Sequence, residues 1–326
     1  MKKIIFLLGL IISLFSQTTL NTEINSEGEI VIINKEKIVK KIQADKGKKF
    51  NKINFSDDNI FYTYDTERGG KEFDSLYFID EKSNEQIKIY SFPEGAQQAN
   101  AIFLKTKRIG IISFKSFSNN ISYDTTVIVY LNEKKNMTID NTLILPLYIT
   151  DVHNPKFSID ESLMLSYGKY QGENGMIVFN FKNQNIEHFI NKKEFGKIPE
   201  SPYPIAITEK QFIIATVQGA SIDNLIYSYH IFQREDGSEV KKFERKDLFK
   251  CIVDKKNQNN LFCMKIYPKK IGNTYELWTG DKIEKVDINT FNVIGEEKIL
   301  PQKFKKFKYN EKQELEIDKS RSMKAF

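Results

Sequence analysis

The sequence predicts an all-β chain assembled from a strand repeat about fifty residues long. Three observations carry this. Short apolar runs recur between clusters of Asn, Asp, Gly and Lys from residue 28 onward. Aromatics reach 13%, with 25 Phe and 15 Tyr, whereas Ala, the strongest helix former, occurs only 8 times in 326 residues. No long segment carries a helical apolar period; 186–197 comes nearest and reads as a strand end followed by a loop.

The first segment reads as an address. Met1-Lys2-Lys3 is a basic start, Ile4 to Phe15 is an apolar run of 12 residues, and Ser16-Gln17-Thr18-Thr19 follows, small and polar. That is the order of a secretory signal peptide. The run is shorter than the ~20 residues of a membrane-crossing helix. Residues 1–20 are therefore expected to be removed, with the cut between Ser16 and Leu20; an uncleaved anchor or a buried strand is the alternative. No Cys follows the run, which argues against a lipoprotein anchor. Net charge is +6 and falls to +4 without Lys2 and Lys3. No later run has spanning length, so the mature chain is expected to lack a transmembrane segment. It would be secreted, periplasmic, or held at a cell surface or wall.

Residues 29–33 and 37–42 then form an expected hairpin across Asn34-Lys35-Glu36. Beyond it the repeat begins. Asn54-Phe55-Ser56-Asp57-Asp58 matches Lys156-Phe157-Ser158-Ile159-Asp160 at an offset of 102 residues. With no gap, that offset carries Leu76-Tyr77-Phe78-Ile79 onto Val178-Phe179-Asn180-Phe181. Between them, Ala101-Ile102-Phe103 with strands at 109–114 and 126–131 has the same layout. After them, Pro204-Ile205-Ala206-Ile207 with 212–216 and 225–232 repeats it, and 249–300 is a more divergent fifth copy. Each copy has room for four strands. The chain thus reads as a β-propeller of four-stranded blades, because stacked blades bury the faces that a lone sheet leaves wet. Strand pairs are left over at 29–42 and 303–318. They predict a sixth, composite blade that closes the ring with N- and C-terminal strands; five or seven blades, and a pair of β-sandwiches, are the competing architectures. The propeller would occupy 21–318. Residues 319–326 lack the alternating aromatic strand that ends a membrane barrel and are expected to be a disordered tail.

Phe-Ser-x-Asp near the start of a copy, with an aromatic-apolar strand about twenty residues later, resembles the blades of TolB-type and WD-repeat-like propellers. The best match is Pro155-Lys156-Phe157-Ser158-Ile159-Asp160-Glu161. The resemblance covers 52–243 reasonably and 247–300 weakly. It implies that the Asp opens the turn between two inner strands and that the aromatic packs between blades. Asn59 and Glu161 stand where those families usually carry Gly.

Cys251 and Cys263 lie in strand-like text on either side of the polar loop 254–260. In an exported chain that hairpin layout favours a disulfide, with two buried thiols as the alternative. There is no Cys-x-x-Cys, and His153, His188 and His230 are isolated, so no metal and no cofactor are expected. His153 reads as a loop residue, or less simply as a rim or axial ligand; His230 reads as a packing residue. No Gly-x-Ser-x-Gly elbow or phosphate loop occurs, and Arg68-Gly69-Gly70-Lys71 reads as a turn. Five Arg are too few and too scattered for a sialidase-like clamp. The chain is therefore expected not to be an enzyme. With 43 acidic residues, paired carboxylates keep a carbohydrate-active enzyme as the third reading. Of three sequons, Asn54 opens an expected strand, while Asn120 and Asn136 lie in polar loops that accept glycan if the source is eukaryotic.

Lys303, Lys305, Lys306 and Lys308 interleave with Phe304, Phe307 and Tyr309. This fits a spacing proposed for heparin-like glycans, or an edge strand protected by Lys. The leading expectation is an exported binding propeller with a macromolecular partner at a rim or the central mouth. The second is a cell-surface, cell-wall or spore-wall protein that adheres to anionic glycans through the basic segment. The partner is a protein or a cell-surface glycan; nucleic acid is not expected.

Overall fold

The structure is a computed structural model. It describes residues 21–317 except 35–36, 45, 56–59, 68–72, 81–85, 105–108, 119–120, 132–138, 146, 150–154, 196–201, 219–225, 246–247, 272–273, 302–306 and 310–314. The chain is a β-propeller of four-stranded antiparallel blades, and it divides into two units, 1–97 and 98–326.

The first unit opens with a three-stranded sheet, β1 (Asn21–Ile24), β2 (Ile30–Asn34) and β3 (Lys37–Ile42). Blade 1 follows as β4 (Lys48–Phe55), β5 (Ile60–Glu67), β6 (Ser75–Asp80) and β7 (Gln86–Ser91). Ile30, Ile32 and Ile42 of the small sheet share a buried core with Phe50 and Tyr77 of the blade. The two rings meet edge to face at 5.9 Å.

The second unit holds most of blade 2, β8 (Ala96–Leu104), β9 (Ile109–Ser118), β10 (Ile121–Leu131) and β11 (Ile139–Leu145). Blade 3 is β12 (Leu147–Ile149), β13 (Lys156–Phe157), β14 (Leu163–Tyr170), β15 (Glu173–Asn180) and β16 (Asn185–Asn191), followed by a 3-10 turn at Lys192–Phe195. Its first strand is split, so that β12 and β13 both pair with β14. Blade 4 is β17 (Tyr203–Ile207), β18 (Gln211–Gln218), β19 (Ile226–Gln233) and β20 (Glu239–Arg245). Blade 5 is β21 (Leu248–Val253), β22 (Asn260–Ile271), β23 (Thr274–Asp287) and β24 (Val293–Lys298). A last hairpin pairs β25 (Phe307–Tyr309) with β26 (Leu315–Ile317).

Period-two alternation explains how these sheets stack. On β18, Phe212 and Ile214 point into a core shared with Leu165, Met176 and Val178 of blade 3. Ile213 and Ala215, between and after them, point the other way, into a core shared with Cys251, Leu261 and Cys263 of blade 5. Ile111 and Ile128 of blade 2 likewise meet Met164, Ile177 and Phe179 of blade 3. Central strands buried on both faces read as nearly continuous apolar text, which is how the sequence shows them. In blade 3 this packing leaves no room for a side chain where Gly168 faces Gly175 across β14 and β15. A Cβ on Gly175 would lie 2.3 Å from the Ile190 carbonyl oxygen, and one on Gly168 2.4 Å from that of Tyr148. Gly175→Ala should therefore lower unfolding free energy by about 2 kcal/mol, read from the urea midpoint.

The five blades of the described residues carry the same irregularity. The register between third and fourth strands skips one residue, leaving Ile89, Asp140, Glu187, Val240 and Ile294 as the extra residue on the outer strand. This shared bulge supports the fifty-residue repeat independently of sequence similarity.

The turn after β13 bears out the role expected of Asp160. Its Oδ1 accepts hydrogen bonds from the Ser158 hydroxyl (2.7 Å), the Ser162 amide (3.1 Å) and the Ser162 hydroxyl (2.8 Å). Glu161, standing where a Gly was anticipated, has φ 55°, so the backbone there keeps the left-handed conformation without the residue suited to it. Glu161→Gly should stabilise the protein by about 1 kcal/mol, measured by the same urea titration; no gain would place the strain elsewhere.

The composite sixth blade expected from 29–42 and 303–318 rests largely on residues outside those described, 302–306, 310–314 and 318. Among the described residues β2 is hydrogen-bonded on both sides, to β1 and to β3, and β25 pairs with β26. A tight turn at residues 25–28 sets the first of these pairings. The Asn25 side chain accepts from the Glu27 and Glu29 amides, and Gly28 takes φ 78°, folding β1 back onto β2. Residues 1–20 and 319–326 lie outside the described residues. No described helix is long and apolar enough to cross a membrane.

Candidate functional site

In an antiparallel meander, the turns joining first to second and third to fourth strands lie at one end of the blade. In blades 3 to 5 these turns form a rim whose shape is fixed by side-chain oxygens. Asn180 Oδ1 accepts from the Lys182 and Asn183 amides. Thr208 Oγ1 accepts from the Lys210 and Gln211 amides. Asp254 takes the Lys256 amide at 2.9 Å, and Asp287 takes the Asn289 and Thr290 amides at 3.0 and 2.8 Å. Such local bonds hold turn backbone that would otherwise wander. Burial pushes the Asp254 carboxyl up, but its ion pair with Lys285 and its backbone bonds outweigh that and hold it below the usual range. At the matching position of the last turn in each blade, Gln184, Gly237 and Phe291 have φ of 56°, 73° and 56°.

Blades 3 and 4 are bolted together at this rim. The bulge in β16 aims Glu187 sideways, where its carboxylate accepts from Asn180 Nδ2 (2.7 Å) and twice from Arg234 Nη1 (2.9 and 2.8 Å). Arg234 Nε donates to the Glu209 carbonyl, and the His188 ring donates through Nε2 to the Arg234 carbonyl. His188 also stacks on Phe212. Gly237 is required beside it, since a Cβ there would lie 2.7 Å from His188 Nδ1.

Two adjoining clefts open on this rim, of about 520 and 580 Å³. The first runs between blades 4 and 5 and is lined by Gln211, Gln233, Gln258, Asn259 and Asn289, with Lys210 and Glu209 at its edge. The second continues past Gln233 to Glu187, His188 and Arg234. No side-chain hydrogen bond engages those five amides among the described residues. A row of amides offers paired donors and acceptors without a nucleophile or a proton donor of shifted pKa. It suits recognition of peptide groups or hydroxyls.

The residues singled out in the sequence fall elsewhere. Cys251 and Cys263 are bridged, directly opposed on β21 and β22 with Cα atoms 4.1 Å apart, and buried in the core between blades 4 and 5. His188 is the blade tie just described. His230 is buried within blade 4, where Nδ1 donates to Glu239 (3.1 Å) and Nε2 meets Thr216 (3.3 Å). Burial lowers its pKa and the Glu239 carboxylate only partly offsets that, so it packs as a neutral ring. His153, Asn120, Asn136, Lys303, Lys305 and Lys306 lie outside the described residues. Lys308 is in β25, in register with Glu316. Among the described residues no group of three or more His, Cys, Asp or Glu is placed to hold a metal ion.

No family model matches the chain, and no curated protein matches it. Similar solved structures include the dihydro-heme d1 dehydrogenase NirN, at 13% identity and TM-score 0.47, over 91% of this chain and 59% of that one. The β-propeller domain of the Trilobed protease from Pyrococcus furiosus shows 12% identity and TM-score 0.45, over 74% and 71%. TolB from Acinetobacter baumannii shows 14% identity and TM-score 0.35, over 67% and 47%. The chain thus spans about half to three-fifths of the NirN and TolB chains. Likenesses this distant transfer no ligand or activity to it.

Proposed function

We propose that this is an exported, non-catalytic propeller that binds a protein partner across the lower rim of blades 3 to 5. The observation that carries the reading is the row of five uncommitted amides, Gln211, Gln233, Gln258, Asn259 and Asn289, on turns held rigid by their own side-chain bonds. Each amide matches one peptide unit, and a pre-formed surface loses little entropy on binding. Export rests on the order of residues 1–20; a disulfide in the core suits an oxidising compartment. N-terminal sequencing of the native protein should begin between residues 17 and 21, and an intact Met1 would end that part of the reading.

The rim is tested by co-purification from the native source, comparing wild type with a Gln233→Ala/Gln258→Ala/Asn259→Ala variant. Lost hydrogen bonds of about 0.5–1.5 kcal/mol each should weaken the partner at least about tenfold. Equal recovery by both proteins would move the interface off this rim. The second reading is adhesion to an anionic glycan through Lys303, Lys305, Lys306 and Lys308. It rests on their interleaving with aromatics, and elution from heparin above the salt expected for a net charge near +4 would favour it.

A further inference from the structure

The turns that join second to third strands lie at the end of the blades opposite the amide cleft. There two hairpins of the second unit outrun their own sheets. In blade 2, the pairing of β10 with β11 ends at Thr126, while β10 continues against β9 for five more rungs, from Thr125 opposite Phe114 to Ile121 opposite Ser118. In blade 5, the pairing of β22 with β21 ends at Ile266, and β22 and β23 run on for five rungs, from Tyr267 opposite Trp278 to Ile271 opposite Thr274. At roughly 3.3 Å per residue each arm reaches about 17 Å past the neighbouring strand. Both arms lie at one end. Lys169, beside the β14–β15 turn, bonds Asp124 of the first arm at 2.8 Å, and the lower turns of blades 4 and 5 share the cleft at the other end.

The first arm exposes Phe117, Ile121 and Tyr123 at 42%, 54% and 49%. Residues opposite each other across a hairpin share a face, and successive residues alternate. Phe117 is opposite Ser122, whereas Ile121 and Tyr123 are opposite Ser118 and Ser116, so the arm is apolar on both faces. No residue from Ser116 to Tyr123 is charged. Single exposed apolar side chains are ordinary, but three within seven residues on one ribbon are not. A flat partner covers one face of a ribbon, and a medium that surrounds it covers both. The feet of the arms are basic. Lys115 and Lys169 flank Asp124, and the Lys115 ammonium lies 5.1 Å from the centre of the Tyr148 ring. In the second arm the Lys269 ammonium lies 3.8 Å from the Trp278 ring, Lys270 follows, and Glu276 is the one acid within 267–278. Rings and lysines at the foot of an apolar tip match the layering of a lipid headgroup region.

We propose that these two arms dock the protein on an anionic lipid surface. Phe117, Ile121 and Tyr123 enter the boundary between headgroups and acyl chains, and Lys115, Lys269 and Lys270 stay among the headgroup phosphates. The attachment is peripheral, by hairpin tips rather than by a spanning segment. It is separate from the amide cleft and leaves that cleft facing away from the lipid.

The test is flotation of the purified protein with phosphatidylcholine vesicles, with and without about 30% phosphatidylglycerol, at constant salt. Wild type should float with the mixed vesicles. Phe117→Ser/Ile121→Ser/Tyr123→Ser should lower its partition coefficient at least about tenfold. Lys269→Glu/Lys270→Glu should do the same, through charge at the second arm. Val240→Ser, which removes a side chain 54% exposed near the opposite end, should leave the partition coefficient unchanged. All three variants should keep the wild-type urea midpoint. Wild type that floats with neither vesicle overturns the proposal and leaves the arms to an apolar groove of another protein. Flotation that the triple Ser variant retains in full also overturns it, since the adhesion is then charge alone. Flotation unchanged by the two Glu substitutions overturns the two-armed arrangement. An N-glycan on Asn120, read by mass spectrometry of the native peptide, would sink the idea as well, because a sugar beside Ile121 keeps the arm out of lipid.

Discussion

Replacing Cys251 and Cys263 together by Ala should lower the unfolding free energy by about 4 kcal/mol, the largest loss expected from any change away from the rim. Two effects add. The bridge closes a loop of sequence separation 12, and releasing a loop of that size restores about 3 kcal/mol of chain entropy to the unfolded state. The sulfurs also fill space in the core with Tyr229, Ile231, Leu261 and Val286, so truncation leaves a void worth about 1 kcal/mol more. Urea unfolding of the double variant checks the sum. Wild type in strong reductant should show the entropic part without the void, which separates the two contributions. A double variant as stable as wild type would mean that the β21–β22 hairpin is already held in the unfolded chain.

The second large effect has the opposite sign. Lys156→Met should raise stability at pH 7 by about 2–3 kcal/mol, because it removes a cation whose pKa falls from 10.5 to about 8 on folding. The lowered value means that the unfolded chain binds the extra proton between about pH 8 and 10.5. Stability of the native lysine form therefore rises with pH through that window, and below about pH 8 the full penalty is present. The advantage of the Met variant should accordingly be largest at neutral pH and shrink toward pH 10.5, followed as the difference between two denaturation curves at each pH. A Met variant that is less stable at pH 7 would show that the ammonium has a partner and is not a burden.

These effects differ in how far the sequence announced them. Strand text such as Met176–Phe181 or Phe212–Thr216 is legible because a strand buried on both faces must be apolar at nearly every position, and the fifty-residue spacing of such runs places the five blades. The disulfide was legible because a hairpin brings neighbours in sequence together. The rim was not. Glu187 and Arg234 are 47 residues apart, and the contact depends on a bulge whose extra residue looks like any other strand residue. The sequence marks the place with no more than a turn signal, Asp236-Gly237, which does not name the pair. Glu161 shows a different limit: a left-handed position can be filled by a residue that does not favour it, so the absence of Gly did not mean the absence of the turn. The hairpin of β2 and β3 was legible as two apolar runs across a polar turn, whereas β1 was not, because its pairing with β2 depends on the Asn25 turn.

The bulge that recurs in each blade also bears on how the molecule behaves among its own copies. The fourth strand lies at the edge of each blade's sheet, and a sheet edge is a row of amides and carbonyls that invites a foreign strand. In β20 and β24 that strand carries Glu239, Lys241, Lys242 and Glu244, or Glu296, Glu297 and Lys298, nearly all in solvent. Each inserted residue breaks the flat, regular spacing that a second chain would need for continuous pairing, and the charges make the approach repulsive. A protein with this much strand content would otherwise be prone to fibre growth at high local concentration. The irregularity that aims Glu187 at Arg234 in one blade thus serves, in the others, as protection against polymerisation.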